Sequence, residues 1–174
     1  RRAIWVRLWR DPPSATVAIP FHPLPDHCRP RLRARRRPDP PMCGIAGFVS
    51  AAEAPVGAPA GTLAEMTRRL APRGPDAQGL FEVGPVHLGH TRLSVIDVAG
   101  SPQPMSTADG RQTVVFNGEI YNFRALRDEL ARGGYAFRTD GDTEVLLAAW
   151  RAWGEALVGR LRGMFAFALW DAPA

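Results

Sequence analysis

The chain has 174 residues, of which 45% are apolar and 22% charged, values that are ordinary for a soluble globular domain. No apolar run reaches the roughly 18 residues that a membrane-spanning helix needs, and no secretory signal is evident at the start. Cys28 and Cys43, the two cysteines, stand in unlike contexts. The sequence therefore indicates neither a disulfide framework nor a zinc site, and it favours a cytoplasmic location.

The net charge of +5 is distributed unevenly along the chain. Residues 1–41 carry ten Arg and three acidic residues, a net charge of +7, whereas residues 42–174 carry twelve Arg and fourteen acidic residues, a net charge of −2. Nine of the 17 prolines also lie in residues 1–41. We therefore predict that residues 1–41 are a disordered Arg/Pro-rich extension that is not part of the mature protein. The alternatives are an anion-binding or nucleic-acid-binding patch and a mitochondrial presequence.

From Met42 onward, regular apolar patterns replace the Arg/Pro-rich sequence. The stretch CGIAGFV is apolar at alternating positions on both faces, which predicts a strand covered on both sides. The next stretch, TLAE at residues 62–65, matches a capping box and predicts a short helix that buries Leu63, Met66 and Leu70. Three further stretches then predict strands, namely GLFEV, VHLGHTRLSVI and QTVVFN.

Helical periodicity dominates the last third of the sequence. FRALRDELARGG places Phe123, Leu126 and Leu130 on one face and ends in two glycines, and DTEVLLAAWRAWG has the spacing i, i+3, i+4, i+7. GMFAFALW predicts a final strand that is apolar on both faces. Strands that precede helices indicate an α+β domain in which two sheets pack together with helices outside. Because the chain stops directly after this strand, we expect the domain at residues 42–174 to be incomplete at its C-terminus.

Cys43 is a candidate nucleophile because it directly follows a Met. If translation starts at Met42 and that Met is removed, Cys43 becomes the N-terminal residue. Its α-amino group, with a pKa of about 7.7–8.0, can then act as a base towards its own thiol. The alternative is a buried structural cysteine.

Asn117 and Gly118 follow the apolar run VVF. An Asn-Gly pair between apolar runs is typical of a type I′ hairpin turn. The Asn side-chain amide and the Gly backbone N–H could instead form an oxyanion hole, in which two donors stabilise a developing negative charge. The local sequence does not decide between the two interpretations.

Two charged residues complete the candidate site. Arg92 stands in an otherwise apolar strand, where it would form either an ion pair with Asp97 or Asp76 or a bidentate clamp on a substrate carboxylate. Asp142 stands at a predicted helix start, where it would either cap the helix or hold a substrate ammonium group. With Cys43, these residues suit an α-amino acid that has a reactive side-chain carbonyl.

Six motifs in the same order resemble the N-terminal glutaminase domain of glutamine-hydrolysing asparagine synthetases. They run from Met42 to about Asp171 and read MCGIAGF, RGPDAQG, HTRLSVID, FNGEIYNF, GDTEVLL and RGMFAFALWD. Domains of this family are class II glutamine amidotransferases with the N-terminal-nucleophile hydrolase fold. Pro75 and Leu93 resemble the asparagine synthetase branch more than the related amidotransferases.

The resemblance implies a four-layer αββα sandwich and the hydrolysis of glutamine to glutamate and ammonia through a cysteine thioester. It also implies one residue for the carboxylate of glutamine and one for its ammonium group. The site residues it assigns are Cys43, Asn117 and Gly118 for catalysis, and Arg92, Glu119 and Asp142 for glutamine binding.

In this family, the ammonia reaches a C-terminal synthetase domain that uses ATP and Mg²⁺ to activate aspartate. The Ser-Gly-Gly-x-Asp-Ser loop of that domain is absent from this sequence, so we expect no cofactor and no metal in residues 42–174. The expected partners are glutamine as substrate and the missing synthetase domain. Neither a membrane nor a nucleic acid is expected, and a homodimer is left open.

The sequence as written makes Cys43 an internal residue. Because an amide nitrogen is not a base, activity requires either a start at Met42, which we favour, or cleavage after it. The alternative functions are a glutaminase domain that serves another acceptor, an inactive gene fragment, and a nucleic-acid-binding module that uses the Arg-rich extension.

Overall fold

The computed structural model describes residues 4–8, 42–50, 61–93 and 101–172, and for residues 4–8 it describes the backbone. None of the helices in these ranges is long and apolar enough to cross a membrane. The elements in chain order are β1 (Ile4–Leu8), β2 (Gly44–Val49), α1 (Thr62–Arg69), β3 (Ala77–Val83), β4 (Val86–Arg92), β5 (Met105–Ser106), β6 (Gln112–Ile120), α2 (Phe123–Arg132), α3 (Asp142–Trp153), a 3-10 helix (Gly154–Arg160) and β7 (Gly163–Asp171).

The strands form two antiparallel sheets, as the α+β prediction requires. One sheet has the order β1-β7-β6-β5 and the other has the order β2-β4-β3. The longest pairing joins β6 to β7, from Gln112 opposite Asp171 to Ile120 opposite Gly163. This ladder gives the polar end of β6 a fixed position, and that end carries the candidate oxyanion donors.

Two apolar clusters hold the layers together. The first lies between the sheets and joins Val86 and Leu88 of β4 to Val115, Ala168 and Trp170 of the other sheet. The second lies between the four-stranded sheet and helices α2 and α3. Helix α1 contacts β2 and β4 on the three-stranded sheet. Helices thus pack against both sheets, while the four-layer αββα order stays a prediction. Each buried large apolar side chain contributes about 1.5–3 kcal/mol.

Helix α1 begins differently from the capping-box prediction. Its N-cap residue is Gly61, in a left-handed conformation, and no side chain caps the helix. Glu65, the expected reciprocal partner, instead forms ion pairs with Arg68 and Arg69. The capping box is therefore wrong: the N–H of Glu65 donates to Gly61 O at 2.9 Å, so Thr62 lies inside the helix and not at its N-cap. The buried residues of the helix are Leu63 and Thr67.

Helices α2 and α3 confirm the periodicity. Leu126 and Leu130 are the buried residues of α2. The helix ends before Gly133 and Gly134, and Gly134 has a φ of 91°. In α3, every residue from 142 to 150 is buried, so this helix lies inside the domain and not on its surface. A stripe of spaced apolar positions predicts the helix but not burial all round it.

Four strands differ from their predictions. Strand β4 ends at Arg92, before Leu93 of the predicted stretch VHLGHTRLSVI. In strand β2, Gly47 and Val49 lie on one face and are exposed, so this strand is not covered on both sides. Strand β6 continues through Asn117 and Gly118 to Ile120, three residues beyond the predicted strand. The two-residue strand β5 was not predicted, because two residues are too short to show a period.

Part of the Arg/Pro-rich extension forms a strand. Ile4–Leu8, here β1, pairs antiparallel with β7, from Ile4 opposite Trp170 to Leu8 opposite Ala166. The prediction of disorder is therefore wrong for these five residues. The remainder of the extension, residues 9–41, lies outside the described residues, and its separation from the mature protein stays a prediction.

Candidate active site

All six of the predicted site residues line one cavity of about 230 Å³. The cavity lies where β2 begins, β4 ends, β6 nears its end and α3 begins. Clefts for drug-sized ligands measure about 300–1,000 Å³, so this cavity suits a smaller molecule such as an amino acid. The six residues are Cys43, Arg92, Asn117, Gly118, Glu119 and Asp142. The structure thus brings them together, while their individual roles stay predictions.

The Cys43 thiol is half-buried and is held against the end of β4. Its Sγ accepts the backbone N–H of Leu93 at 3.3 Å and lies 3.5 Å from the Leu93 carbonyl oxygen. Gly44 follows it because a Cβ at that position would lie 2.7 Å from Thr91 Oγ1 and 3.0 Å from Leu70 Cβ. The glycine of the Cys-Gly pair therefore serves close packing between β2, β4 and α1.

The Asn-Gly pair does not form a turn. Asn117 lies opposite Ala166 and Gly118 opposite Phe165, so both lie within the continuous ladder between β6 and β7. Gly118 has a φ of 137°, and a Cβ there would lie 2.1 Å from Met164 O and 2.5 Å from Phe165 Cα. The hairpin interpretation is therefore wrong. Only glycine fits at position 118, since both obstacles are backbone atoms of the neighbouring strand.

Successive backbone groups on β6 point to opposite edges. At Asn117 they face β7, whereas at Phe116, Gly118 and Ile120 they face the other edge. Towards that edge Phe116 N–H donates to Gln103 Oε1 at 2.6 Å, and Ile120 N–H donates to Asp142 Oδ2 at 3.0 Å. By this alternation the N–H of Gly118, a residue that lines the cavity, faces away from β7, as the oxyanion-donor interpretation requires.

Asp142 is 7% exposed and is the first residue of α3. The N-cap is Gly141, so Asp142 does not cap the helix in the position that the sequence suggested. Burial raises the pKa of the Asp142 carboxyl, the nearby Glu119 charge also raises it, and the hydrogen bond from Ile120 N–H opposes the shift. A cation in the cavity would favour the charged form of this carboxyl. Glu119 is exposed at the mouth of the cavity.

Arg92, at the end of β4, is half-buried and supplies the positive charge of the cavity. Its carbonyl accepts the backbone N–H of Asp76 at 2.9 Å, which fixes the RGPD loop against the strand. Asp97, one of its two predicted ion-pair partners, lies outside the described residues. Arg92 lies at the end of β4 and Asp142 at the start of α3. The cavity therefore presents both charges that a zwitterionic amino acid requires.

Sequence reasoning missed several residues at the site. Gln103 and Thr143 line the cavity, and Gln103 Nε2 donates to Thr143 Oγ1 at 3.4 Å. His90 is 1% exposed, and its Nε2 lies 3.1 Å from the carbonyl oxygen of Phe116. Burial lowers the pKa of His90 to about 4, so this imidazole is neutral at pH 7. The sequence signal for His90 is its position directly before Thr91 and Arg92 in the motif HTRLSVID.

The family model of the glutamine amidotransferase domain matches residues 42–174, and the chain belongs to this family. A putative glutamine-hydrolysing asparagine synthetase from Mycobacterium bovis is 46% identical over 144 residues, which cover 75% of this chain and 22% of the relative. Asparagine synthetase 1 of Bacillus subtilis is 49% identical over 107 residues, 62% of this chain and 17% of the relative. The chain thus spans less than a quarter of the length of these relatives.

Among solved structures, a glutamine phosphoribosylpyrophosphate amidotransferase from B. subtilis, in complex with ADP and GMP, aligns with a TM-score of 0.42 at 25% identity. The alignment covers 51% of this chain and 21% of that one.

Proposed function

We propose that residues 42–174 hydrolyse glutamine to glutamate and ammonia through a thioester on Cys43. The observation that carries the proposal is the single cavity in which a thiol, two candidate oxyanion donors and charges of both signs meet. Membership of the glutamine amidotransferase family supports the same reaction. The cavity volume of about 230 Å³ also suits a free amino acid better than a larger amide.

The proposed reaction begins with recognition of the glutamine zwitterion. Arg92 binds the α-carboxylate, because a guanidinium can donate two parallel hydrogen bonds to it. Asp142 accepts from the α-ammonium group, whose charge compensates for the burial of this carboxylate. Glu119, exposed at the mouth, adds to the negative potential on the ammonium side. These contacts place the side-chain amide of glutamine towards Cys43.

Chemistry then requires a free amino group on Cys43. That amine takes the thiol proton, and Sγ attacks the amide carbon of glutamine. The oxyanion that forms accepts hydrogen bonds from Asn117 Nδ2 and Gly118 N–H, and each such donor typically contributes about 10²–10³ in rate. The protonated amine gives its proton to the departing ammonia, and water then hydrolyses the thioester to glutamate.

We further propose that the ammonia serves an ATP-dependent asparagine synthase, in the cytoplasm. The similarity to proteins named as glutamine-hydrolysing asparagine synthetases supports this acceptor. ATP and Mg²⁺ belong in this proposal to a synthetase domain outside the chain. Within the described ranges, no group of three or more His, Cys, Asp or Glu side chains is placed to hold a metal ion.

The test compares residues 42–174 with the full 174-residue chain. Mass spectrometry establishes whether Met42 has been removed, circular dichroism establishes folding, and ammonia release from glutamine is measured. We expect turnover from the shorter protein once Cys43 is N-terminal, and none from its Cys43→Ala variant. Equal activity of the two lengths would refute the free-amine mechanism, and a folded, processed protein without turnover would refute glutamine hydrolysis.

A further inference from the structure

One edge of β6 changes its partner along its length. Over its first half this edge faces β5, where Val114 lies opposite Met105 and Thr113 opposite Ser106. Continued in the same register, the pairing would place residue 103 opposite Phe116. Strand β5 begins only at Met105, however, and the preceding residue, Pro104, has no N–H to donate.

Side chains replace the backbone partner at this point. Gln103 Oε1 accepts the N–H of Phe116 at 2.6 Å, and His90 Nε2 lies 3.1 Å from the carbonyl oxygen of the same residue. Because a carbonyl only accepts, Nε2 of the neutral His90 imidazole must carry the proton. Both backbone groups of Phe116 are thus satisfied from outside the sheet, immediately before Asn117 and Gly118.

Gln103 also reaches the helix on the other side of the cavity. Its Nε2 donates to Thr143 Oγ1 at 3.4 Å, and Thr143 directly follows Asp142 at the start of α3. One amide group therefore contacts the strand that carries the candidate oxyanion donors and the helix that carries the candidate ammonium acceptor.

The main chain at Gln103 is itself held in place. A Cβ on Gly79 of β3 would lie 2.1 Å from Gln103 O and 2.7 Å from Pro104 Cδ, so β3 packs directly against this stretch. The side chain therefore extends from a fixed point, which a positioning role requires.

We propose that Gln103 is a positioning residue, which fixes Asn117 and Gly118 as oxyanion donors by holding Phe116 and links them to α3 through Thr143. The role of the donors rests on the proposed glutamine hydrolysis, whereas the holding of β6 does not. An amide suits this task because it offers an acceptor to the strand and a donor to the helix in one group. A Met at this position would have nearly the same length and neither function.

The first measurement is amide hydrogen exchange by NMR in the full chain. Gln103→Met should accelerate exchange at Phe116 at least about tenfold, because this N–H loses its acceptor beyond the pairing with β5, whereas Asn117, whose N–H faces β7, should be affected less. Gln103→Glu retains the acceptor and should stay within about threefold of the parent. The matched control, Gln78→Met, makes the same replacement at an exposed position on β3 and should leave both amides unchanged.

The second measurement separates positioning from general stability. A glutamine analogue with a nitrile in place of the amide can add the Cys43 thiol. The S–C bond forms, one C–N π bond breaks, and the thiol proton moves to nitrogen, which faces the donors. Gln103→Met should reduce the equilibrium adduct of this analogue at least about tenfold while glutamate affinity changes less than about threefold, since glutamate needs Arg92 and Asp142 and not the oxyanion donors.

Unchanged exchange at Phe116 in Gln103→Met would overturn the proposal, whatever the chain binds. Equal weakening of the nitrile adduct and of glutamate binding would also overturn it, because that pattern indicates general loosening. Accelerated exchange in a chain whose parent binds neither ligand would support the contact of Gln103 with β6 and would reject the proposed glutamine hydrolysis.

Discussion

Replacement of Gly118 by Ala should damage stability and catalysis together. The added Cβ would lie 2.1 Å from Met164 O and 2.5 Å from Phe165 Cα, and both atoms belong to the backbone of β7. A φ of 137° is in addition a conformation that L-residues rarely adopt. Backbone strain of this kind costs about 1–3 kcal/mol and overpacking about 1–3 kcal/mol, so we expect a loss of about 2–6 kcal/mol.

The matched control is Gly134→Ala. Gly134 also has a positive φ, 91°, but a Cβ there would meet no atom within 4 Å. This variant therefore keeps the conformational strain and omits the collision, and it should lose about 1–2 kcal/mol. The two free energies of unfolding are compared by urea denaturation of the full chain. Equal losses in the two variants would refute the idea that close approach of β6 and β7 requires glycine at 118.

The catalytic consequence of Gly118→Ala is measured on the protein with N-terminal Cys43. The separation of β6 from β7 that the new Cβ enforces would displace the Gly118 N–H, and loss of one oxyanion donor reduces kcat about 10²–10³-fold. Gly134→Ala lies outside the cavity and should retain the parent kcat. Parent-like turnover in Gly118→Ala would remove this N–H from the proposed oxyanion hole.

Three further predictions concern charged and titratable groups at the site. Arg92→Ala should raise the KM for glutamine about 10–100-fold, because it removes a charge-assisted pair of hydrogen bonds, and steady-state ammonia release measures this. Asp142→Asn should abolish saturable glutamine binding in calorimetry. The same variant should be more stable at pH 7, because the raised pKa of the Asp142 carboxyl means that its ionisation opposes folding. This gain in stability should vanish below about pH 3.8, where the carboxyl is protonated in the folded and the unfolded chain. His90 has the opposite dependence. Since its pKa falls from 6.5 to about 4, its contribution is present above pH 6.5 and is lost as the pH falls towards 4, by about 3 kcal/mol, and His90→Gln should flatten that profile in urea denaturation.

The helices were accessible from the sequence because their signal is local. The spacing of Leu126 and Leu130 predicts the buried face of α2, and the two glycines that follow it predict its end. The prediction for the start of α1 is wrong for an equally local reason: the TLAE pattern does not show that Gly61 is the N-cap, nor that Arg68 and Arg69 bind Glu65. When several groups near one carboxylate could bind it, the three-dimensional geometry decides the partner, and the spacing in the sequence does not.

The site was only partly accessible from the sequence. Asn117 and Gly118 fit a turn or an oxyanion hole until pairing with β7, nearly fifty residues further along the chain, places them inside a strand. Gln103 lies in the stretch GSPQPMS, which has no period, and its contacts depend on where β5 begins. A residue such as Gln103 carries no local sequence signal, because its contacts follow from a strand register that only the assembled sheets define.

Asp142 gives a physical argument for a cationic ligand that is independent of any resemblance. Helix α3 does not use this side chain as its N-cap, since Gly141 occupies that position. Burial raises the pKa of the carboxyl, so its ionised form opposes folding at neutral pH. A residue kept only for the hydrogen bond to Ile120 N–H could be Asn, which offers the same acceptor without the charge. The backbone N–H groups of Asp142 and Thr143 also favour the charged form, and we predict that an ammonium group in the cavity would lower this pKa further on binding.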